Sequence, residues 1–364
     1  MTPRIAVTLD GRPFTNWLSL SVRRSMEELS ASFEFEVADD WHETGRRLPF
    51  DETSSCAIQV GSETLLTGWV EDIDEDDGGD EEGTLVSGRD LLCDLVDCAA
   101  QFKGGQWSSA TVDRIASDLI AAGGYQQLVV TADGVSLGDP ISAFTLADGE
   151  SVAEAIVRAC RLRGLLLVGD GSGTLVFTRP GASTTATVLQ RGVNVERSRR
   201  RRSSRERFSD YIVKSHSPAT GIDRIFGVSA ASHRAVAKDP AVKRPRPVMV
   251  LSDDTVQIST QRRADWQRNV RAGRAVRYRY TVEGWQTAEN RLWQPNTLVG
   301  VIDDRYQLED ILLIIETEHS VSEDSGPITE LEVCDPRALE VEVPPGRKKP
   351  RKRAEHNRVG KAAF

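Results

Sequence analysis

The sequence predicts a mainly β protein with an α/β segment set into its middle. Three observations carry that reading. Near the start, apolar and polar residues alternate at Ile5, Val7 and Leu9 and again at Phe33, Phe35 and Val37, the period-two pattern of half-buried strands. In the middle, a capped amphipathic helix, a glycine stop and a strand occur twice. Past residue 208 the alternation returns at Tyr211 and Val213, then at Val276, Tyr278, Tyr280 and Val282, whose neighbours Arg277, Arg279, Thr281 and Glu283 face the other way.

Taken in order, Asp10-Gly11 is a hairpin turn signal. Residues 64–73 and 84–87 read as strands joined by the acidic run EDIDEDDGGDEE, a solvated and mobile hairpin tip that presents Asp72, Asp74, Asp76 and Asp77. Several short strands with turns between them suggest a small barrel. In the first helical module Ser108 and Ser109 precede Val112, Ile115, Ala116, Leu119 and Ile120, and Gly123-Gly124 ends the run before a strand over 125–130. In the second, Ser151 precedes Val152, Ala155, Ile156, Ala159 and Cys160, and Gly164 ends the run before 165–168. Both stripes follow i, i+3, i+4, i+7 and i+8, one buried helix face, with serine and glycine as caps. Neither polar face carries paired catalytic groups, so the modules read as packing units. Residues 191–204 are polar and arginine-rich, which suggests a crossing between domains. A helix over about 261–272 interrupts the second β region, and strands over 297–302, 311–318 and 328–333 close a second barrel. The expected division is a β-barrel over 1–96, an α/β insertion over 97–190, a second β-barrel with a helical insertion over 191–345, and a basic tail over 346–364 with too few apolar groups to fold alone.

A chain of 364 residues can bury a large core. Its longest aliphatic runs are far shorter than the roughly 20 residues that span a bilayer, so no membrane-spanning segment is expected. The N-terminus has no continuous apolar signal core, which implies a protein made and kept in the cytoplasm. Five cysteines without a CxxC pair suggest reduced structural thiols. The net charge of −9 matters less than its distribution. Acid gathers over 71–82 and base over 197–207 and beyond Arg347, which suits a protein that meets several partners.

Candidate chemistry is sparse. GDGSG at 169–173 resembles a phosphate loop, but it opens a strand where a phosphate loop opens a helix, and it reads as a hairpin turn. Asp72, Asp74 and Asp76 have the spacing of a calcium loop, yet the sixth and twelfth positions are Asp77 and Gly83 where glycine and glutamate are needed. The five histidines are scattered and no GxSxG elbow is present. No catalytic residue, metal or cofactor is expected. The arginines Arg199, Arg200, Arg201 and Arg202 read as an exposed interdomain or subunit contact. Without interleaved aromatic residues, a nucleic-acid surface is the weaker reading. Phe208, Tyr211, Trp285 and Trp293 are candidate seam anchors, with core packing the favoured role for each.

Five phrases in order carry a family resemblance: GRPFTNWLSLSVRRSMEELSASFEFEV, SGRDLLCDLVDCAAQFKGGQWSSATVDRIASDL, FTLADGESVAEAIVRACRLRGLLLVGDGSGTLVFTR, RERFSDYIVKS and GWQTAENRLWQPNTLVGVIDD. Together they resemble the baseplate hub proteins of Mu-like contractile-tailed phages over about residues 5–340. The resemblance implies two tail-tube-like β-barrels per chain with α/β insertions, assembled as a homotrimer into a pseudo-sixfold ring. It further implies a structural hub joining the hexameric tail tube to the trimeric central spike. Baseplate wedge proteins would lie nearby and phage DNA would pass through the channel without sequence-specific binding. The implied location is the virion baseplate, after assembly in the bacterial host cytoplasm. Departures from the family lie in the acidic tip, the extra arginines and the basic tail. A hub of a headless phage-derived injection particle is the alternative within the same class, and a nucleic-acid-binding protein the alternative outside it.

Overall fold

The computed structural model describes residues 4–37, 48–78, 81–216, 232–252, 259–323 and 325–342. The first half comprises β1 (Ile5–Leu9), β2 (Arg12–Phe14), β3 (Trp17–Ser25), β4 (Ser32–Val37), β5 (Ser55–Val60), β6 (Glu63–Gly78) and β7 (Glu81–Asp90). The middle holds α1 (Cys93–Asp97), β8 (Gln106–Ala110), α2 (Val112–Gly123), β9 (Val129–Ala132), β10 (Ile141–Thr145), α3 (Val152–Arg161), β11 (Leu166–Gly169) and β12 (Thr174–Thr178). Then follow β13 (Ser183–Gln190), β14 (Val195–Arg202), β15 (Asp210–His216), β16 (Ser232–Lys238), β17 (Pro247–Ser252), α4 (Thr260–Arg274), β18 (Val276–Glu283), β19 (Thr297–Asp303), β20 (Leu308–Ser322) and β21 (Ile328–Cys334).

Thirteen of these strands form one sheet in the order β14-β18-β21-β20-β3-β4-β7-β6-β5-β1-β2, with β19 joining β20 and β13 joining β19. Strict alternation builds it. On β4 the buried residues Phe33, Phe35 and Val37 alternate with Ser32, Glu34 and Glu36, so one face is apolar and the other polar. Two apolar clusters lie beneath. One gathers Val22, Phe33, Phe35, Ile58, Leu66, Val70 and Val86 of the first half, and the other Tyr280, Val282, Val299, Val301, Ile314, Leu331 and Val333 of the second.

The two halves of the sheet follow the same plan. Each has one long strand that pairs first with an earlier neighbour and then with a later one: β6 passes from β5 to β7, and β20 from β19 to β21. Each long strand carries a bulge at the switch, between Val70 and Asp72 on β6 and between Ile314 and Glu316 on β20. The next strands outward are β4 and β18, followed by β3 and β14. These last two carry a second matching bulge, between Trp17 and Ser19 and between Val195 and Arg197. The halves meet where β20 pairs antiparallel with β3, from Glu316 opposite Ser25 to Ser322 opposite Ser19.

Several sequence expectations are corrected here. The acidic run is strand, because β6 and β7 stay paired through Asp77 opposite Glu82. Residues 191–204, expected as a polar crossing between domains, contain the strand Val195–Arg202, which pairs with β18 as an outer strand of the large sheet. Tyr211 and Val213 do not share a sheet with Val276–Val282. They lie on β15, the centre of a separate three-stranded sheet with β16 and β17, packed on α4 through Ala264. Strand β13, expected within the insertion, belongs to the large sheet. Ser108 and Ser109 lie on β8, and Thr111 is the N-cap of α2.

The insertion core sits between α2 and α3, with Ile115, Leu119 and Ile156 wholly buried. Ser151 and Glu154 form a reciprocal capping box at the start of α3, and Gly124 closes α2 at φ +83°. We expect alanine at any of Ile115, Leu119 or Ile156 to cost about 2–4 kcal/mol through the cavity it leaves. Denaturant unfolding followed by circular dichroism measures it, and unchanged midpoints in all three variants would contradict this packing.

Candidate assembly surface

The polar face of the large sheet crosses from one half to the other without a break. On β3 it presents Ser19, Ser21, Arg23 and Ser25, and on β4 Ser32, Glu34 and Glu36, since Leu20, Val22, Phe33 and Phe35 take the apolar face. Register brings carboxylates directly opposite one another, Glu316 to Glu332 and Glu318 to Glu330. Like charges so placed repel, and arginines from neighbouring strands offset them. Arg23 Nη2 reaches Glu316 at 2.8 Å, Arg279 Nη2 reaches Glu332 at 2.9 Å, and Arg277 bridges Glu332 at 2.9 Å and Glu27 at 2.7 Å. Burial alone would raise Glu332, but hydrogen bonds from Arg277 and Arg279 outweigh it and hold its carboxyl below the ordinary value. A groove of about 370 Å³ opens on this face, lined by Ser21, Arg23, Glu34, Asp72, Arg89 and Glu318.

The arginine strand lies at one end of the face. Alternation along β14 splits its cluster. Arg199 and Arg201 sit opposite Arg279 and Arg277 on the polar face, while Arg200 turns the other way and lies 4.5 Å over the Tyr306 ring. Arg199, Arg201 and Arg202 are exposed, and none makes an ion pair among the described residues. At the other end stands the acidic ribbon. Asp72, Asp74 and Asp76 are exposed on β6, with Asp72 opposite Ser87, Asp74 opposite Leu85 and Asp76 opposite Gly83. Asp77 continues the strand, and its side chain lies outside the described residues, as does the whole basic tail.

The aromatic candidates are interior or partly so. Trp285, 2% exposed, enters the apolar cluster of the first half and donates from Nε1 to Ser320 O at 2.9 Å, so it links the halves within one chain. Trp293 lies in the second cluster. Tyr211 is buried under the small sheet and its hydroxyl accepts from Phe208 N at 3.1 Å. Phe208 is half-buried, with the guanidinium groups of Arg246 and Arg271 5.0 and 5.2 Å from its ring centroid.

The GDGSG segment is the turn between β11 and β12, and it docks the insertion onto the first half. Asp170 accepts from Ser172 N at 2.8 Å, Ser172 Oγ at 2.7 Å and Thr174 N at 2.9 Å. Gly171 O accepts from Thr67 N at 2.8 Å. At φ +83°, a Cβ on Gly171 would stand 2.6 Å from Leu65 O, so only glycine fits. Sequence reading had no signal for this role, nor for the buried pair beneath the junction of the halves. There Arg24 lies in the field of Asp90 and Asp170, and His319 is wholly buried beside the Trp285 ring at 5.5 Å.

The comparisons with known proteins give the class: a structural protein of phage tails. Residues 4–90 match the family described as Mu phage baseplate assembly protein GpP-like, N-terminal; residues 92–179 match the second domain of baseplate hub protein gp44-like; residues 256–342 match the fourth domain of Mu phage baseplate assembly protein GpP. The chain is 32% identical to the baseplate hub protein gp44 of Escherichia phage Mu over 324 residues, 86% of this chain and 83% of that one. The crystal structure of the 43 kDa tail protein of prophage MuSo2 from Shewanella oneidensis superposes with a TM-score of 0.79 at 28% identity, covering 93% of this chain and 99% of that one. A tail protein from Neisseria meningitidis MC58 shares the fold, with a TM-score of 0.75 at 22% identity over 94% and 99% of the two chains. The chain belongs to the baseplate hub family of Mu-like phages and is a structural component of the virion.

Two outcomes follow from the site. Burial holds His319 neutral and, with the nearby Arg24 charge, pushes its pKa from 6.5 down to about 3. The unfolded chain therefore takes up a proton between those values and the folded chain does not, so stability is greatest above pH 6.5 and falls as pH drops toward 3. In a His319→Leu variant the stability–pH slope across that window should be shallower than in the native chain. Asp72, Asp74 and Asp76 lie about 7 Å apart along an extended strand, too far to converge on one calcium ion. The melting temperature should stay unmoved by either calcium or EDTA.

Proposed function

We propose that the chain acts as an adaptor, three copies forming a ring whose six β halves match a hexameric tail tube while the insertions face a trimeric central spike. The observation that carries this reading is the shared plan of the two halves: the same strand order, the same two bulges and one apolar cluster each. A chain with two like halves presents sixfold geometry from three copies, and its single insertion remains threefold. Each half then acts as a tube-like β-barrel segment, and heterologous contacts close the ring.

The polar sheet face is the natural channel lining. Its arginines Arg23, Arg277 and Arg279 are engaged by Glu27, Glu316, Glu330 and Glu332, and the carboxylates of Asp72, Asp74 and Asp76 make no ion pair among the described residues. A surface with excess negative charge lets DNA slide past without adhering. Wedge proteins would meet the outer surface, and the ring would assemble in the host cytoplasm before entering the tail. No step of this role needs catalysis, a cofactor or a metal. A hub of a headless injection particle would use the same geometry.

Light scattering on the purified chain with its spike partner should give a hub mass of three chains per spike, and a tail-tip map should show two β halves per chain around the channel. A dimeric hub, or one β half per chain in the ring, would refute the adaptor.

A further inference from the structure

The shared plan of the halves specifies more than their number. Within one chain they join where the long strand of the second half, β20, pairs with the outermost strand of the first, β3. The equivalent long strand of the first half is β6, and the equivalent outermost strand of the second is β14. Both have an open edge. Beyond Trp69, where pairing with β5 stops, no described strand lies along the outer side of β6. Among the described residues β14 pairs only with β18, and its one other backbone partner over Arg197–Arg202 is the Tyr306 hydroxyl on Ser198 O at 3.3 Å.

We infer that β6 of one copy pairs with β14 of the next, antiparallel and in the register that β20 and β3 use within the chain. This rests on the ring reading above and adds the residues that close it. The bulges set the register. Counting from them, Glu316, Glu318 and Ser320 of β20 correspond to Asp72, Asp74 and Asp76 of β6. Ser19, Ser21 and Arg23 of β3 correspond to Arg197, Arg199 and Arg201 of β14. Inside the chain Ser320 stands opposite Ser21, and Glu318 opposite Arg23. Between copies, Asp76 therefore stands opposite Arg199 and Asp74 opposite Arg201.

Charge supports the assignment independently of the count. Arg199 and Arg201 face Arg279 and Arg277 on their own sheet and have no counter-ion among the described residues. Asp72, Asp74 and Asp76 are exposed and likewise have none among the described residues. The register brings each set to the other, and Arg201 then reaches Asp72 as Arg23 reaches Glu316 at 2.8 Å within the chain. The alternation also keeps both sets on the polar face, so the joined sheets present one continuous surface. A slip of one residue would turn the carboxylates away from the guanidinium groups.

Directly opposed residues of an antiparallel pair have Cα atoms about 4.5–5.5 Å apart, within the span of a disulfide. The test is an Asp76→Cys, Arg199→Cys variant of the full chain in a Cys98→Ser background, since Cys98 is the one exposed native thiol. Assembled tails are oxidised and run on a non-reducing gel. The double variant should shift from one-chain mass to bands of two and three chains and nothing larger, while each single cysteine variant stays at one chain. In parallel, Asp76→Arg and Arg199→Asp should each lose the ring, and their combination should restore it. Monomer bands from tails whose maps hold three hub chains would overturn this seam and leave the ring standing. A map with another copy number would overturn the ring itself. Intact rings in both single charge variants, with only DNA retention changed, would assign the arginines to nucleic acid and sink the seam.

Discussion

The pairing of β20 with β3 is the constraint on which the rest of the molecule depends. It joins segments as distant as Ser21 and Glu318, separated by 297 positions, and without it the two halves would be separate sheets. Its apolar side is the source of stability, since Leu20 and Val22 of β3 are buried beside the wholly buried Thr317 and His319 of β20. Its polar side is a ladder of arginines and glutamates. Partly exposed pairs of this kind contribute about 0–1 kcal/mol each, so their main effect is on register. A one-residue slip would exchange Arg23 for Val22 across the pleat and bury a charge among apolar groups.

The insertion is tied into the same framework. The Asp170 turn closes on itself through Ser172 and Thr174 and meets the first half through Gly171 O and Thr67 N. Leu166 and Val168 of β11 pack against Met26, Leu313 and Ile315, on both sides of the junction between the halves. The insertion thus touches both halves near the place where they join, and whatever it contacts is positioned relative to the whole sheet. For a hub, this holds the insertion in a set relation to the β halves.

Much of this was legible along the chain. The period-two runs at Ile5–Leu9, Ser32–Val37 and Val276–Glu283 are strands, and the apolar stripes of Val112–Gly123 and Val152–Arg161 are helices. Local periodicity is a local property, so it reads reliably. The acidic run reads as a loop because its composition argues for solvent, whereas ladder pairing with β7 holds it extended with its acids exposed; the arginine cluster is exposed as its composition indicates, and pairing with β18 makes it a strand. Tyr211 and Val213 were assigned to the wrong sheet for a related reason: alternation marks a strand without naming its partner.

The sequence by itself determined the element types and buried faces of the periodic segments, the segregation of acid and base, and enough ordered phrases to place the family. Only the tertiary structure decided which strand lies beside which. That decision sets the shared plan of the halves, the place of Arg199 and Arg201 at one end of the polar face and the place of Asp72, Asp74 and Asp76 at the other. The physical reason is that side-chain alternation is encoded residue by residue. Strand partnership, in contrast, is chosen by burial summed over contacts hundreds of residues apart, and no window of sequence contains that sum.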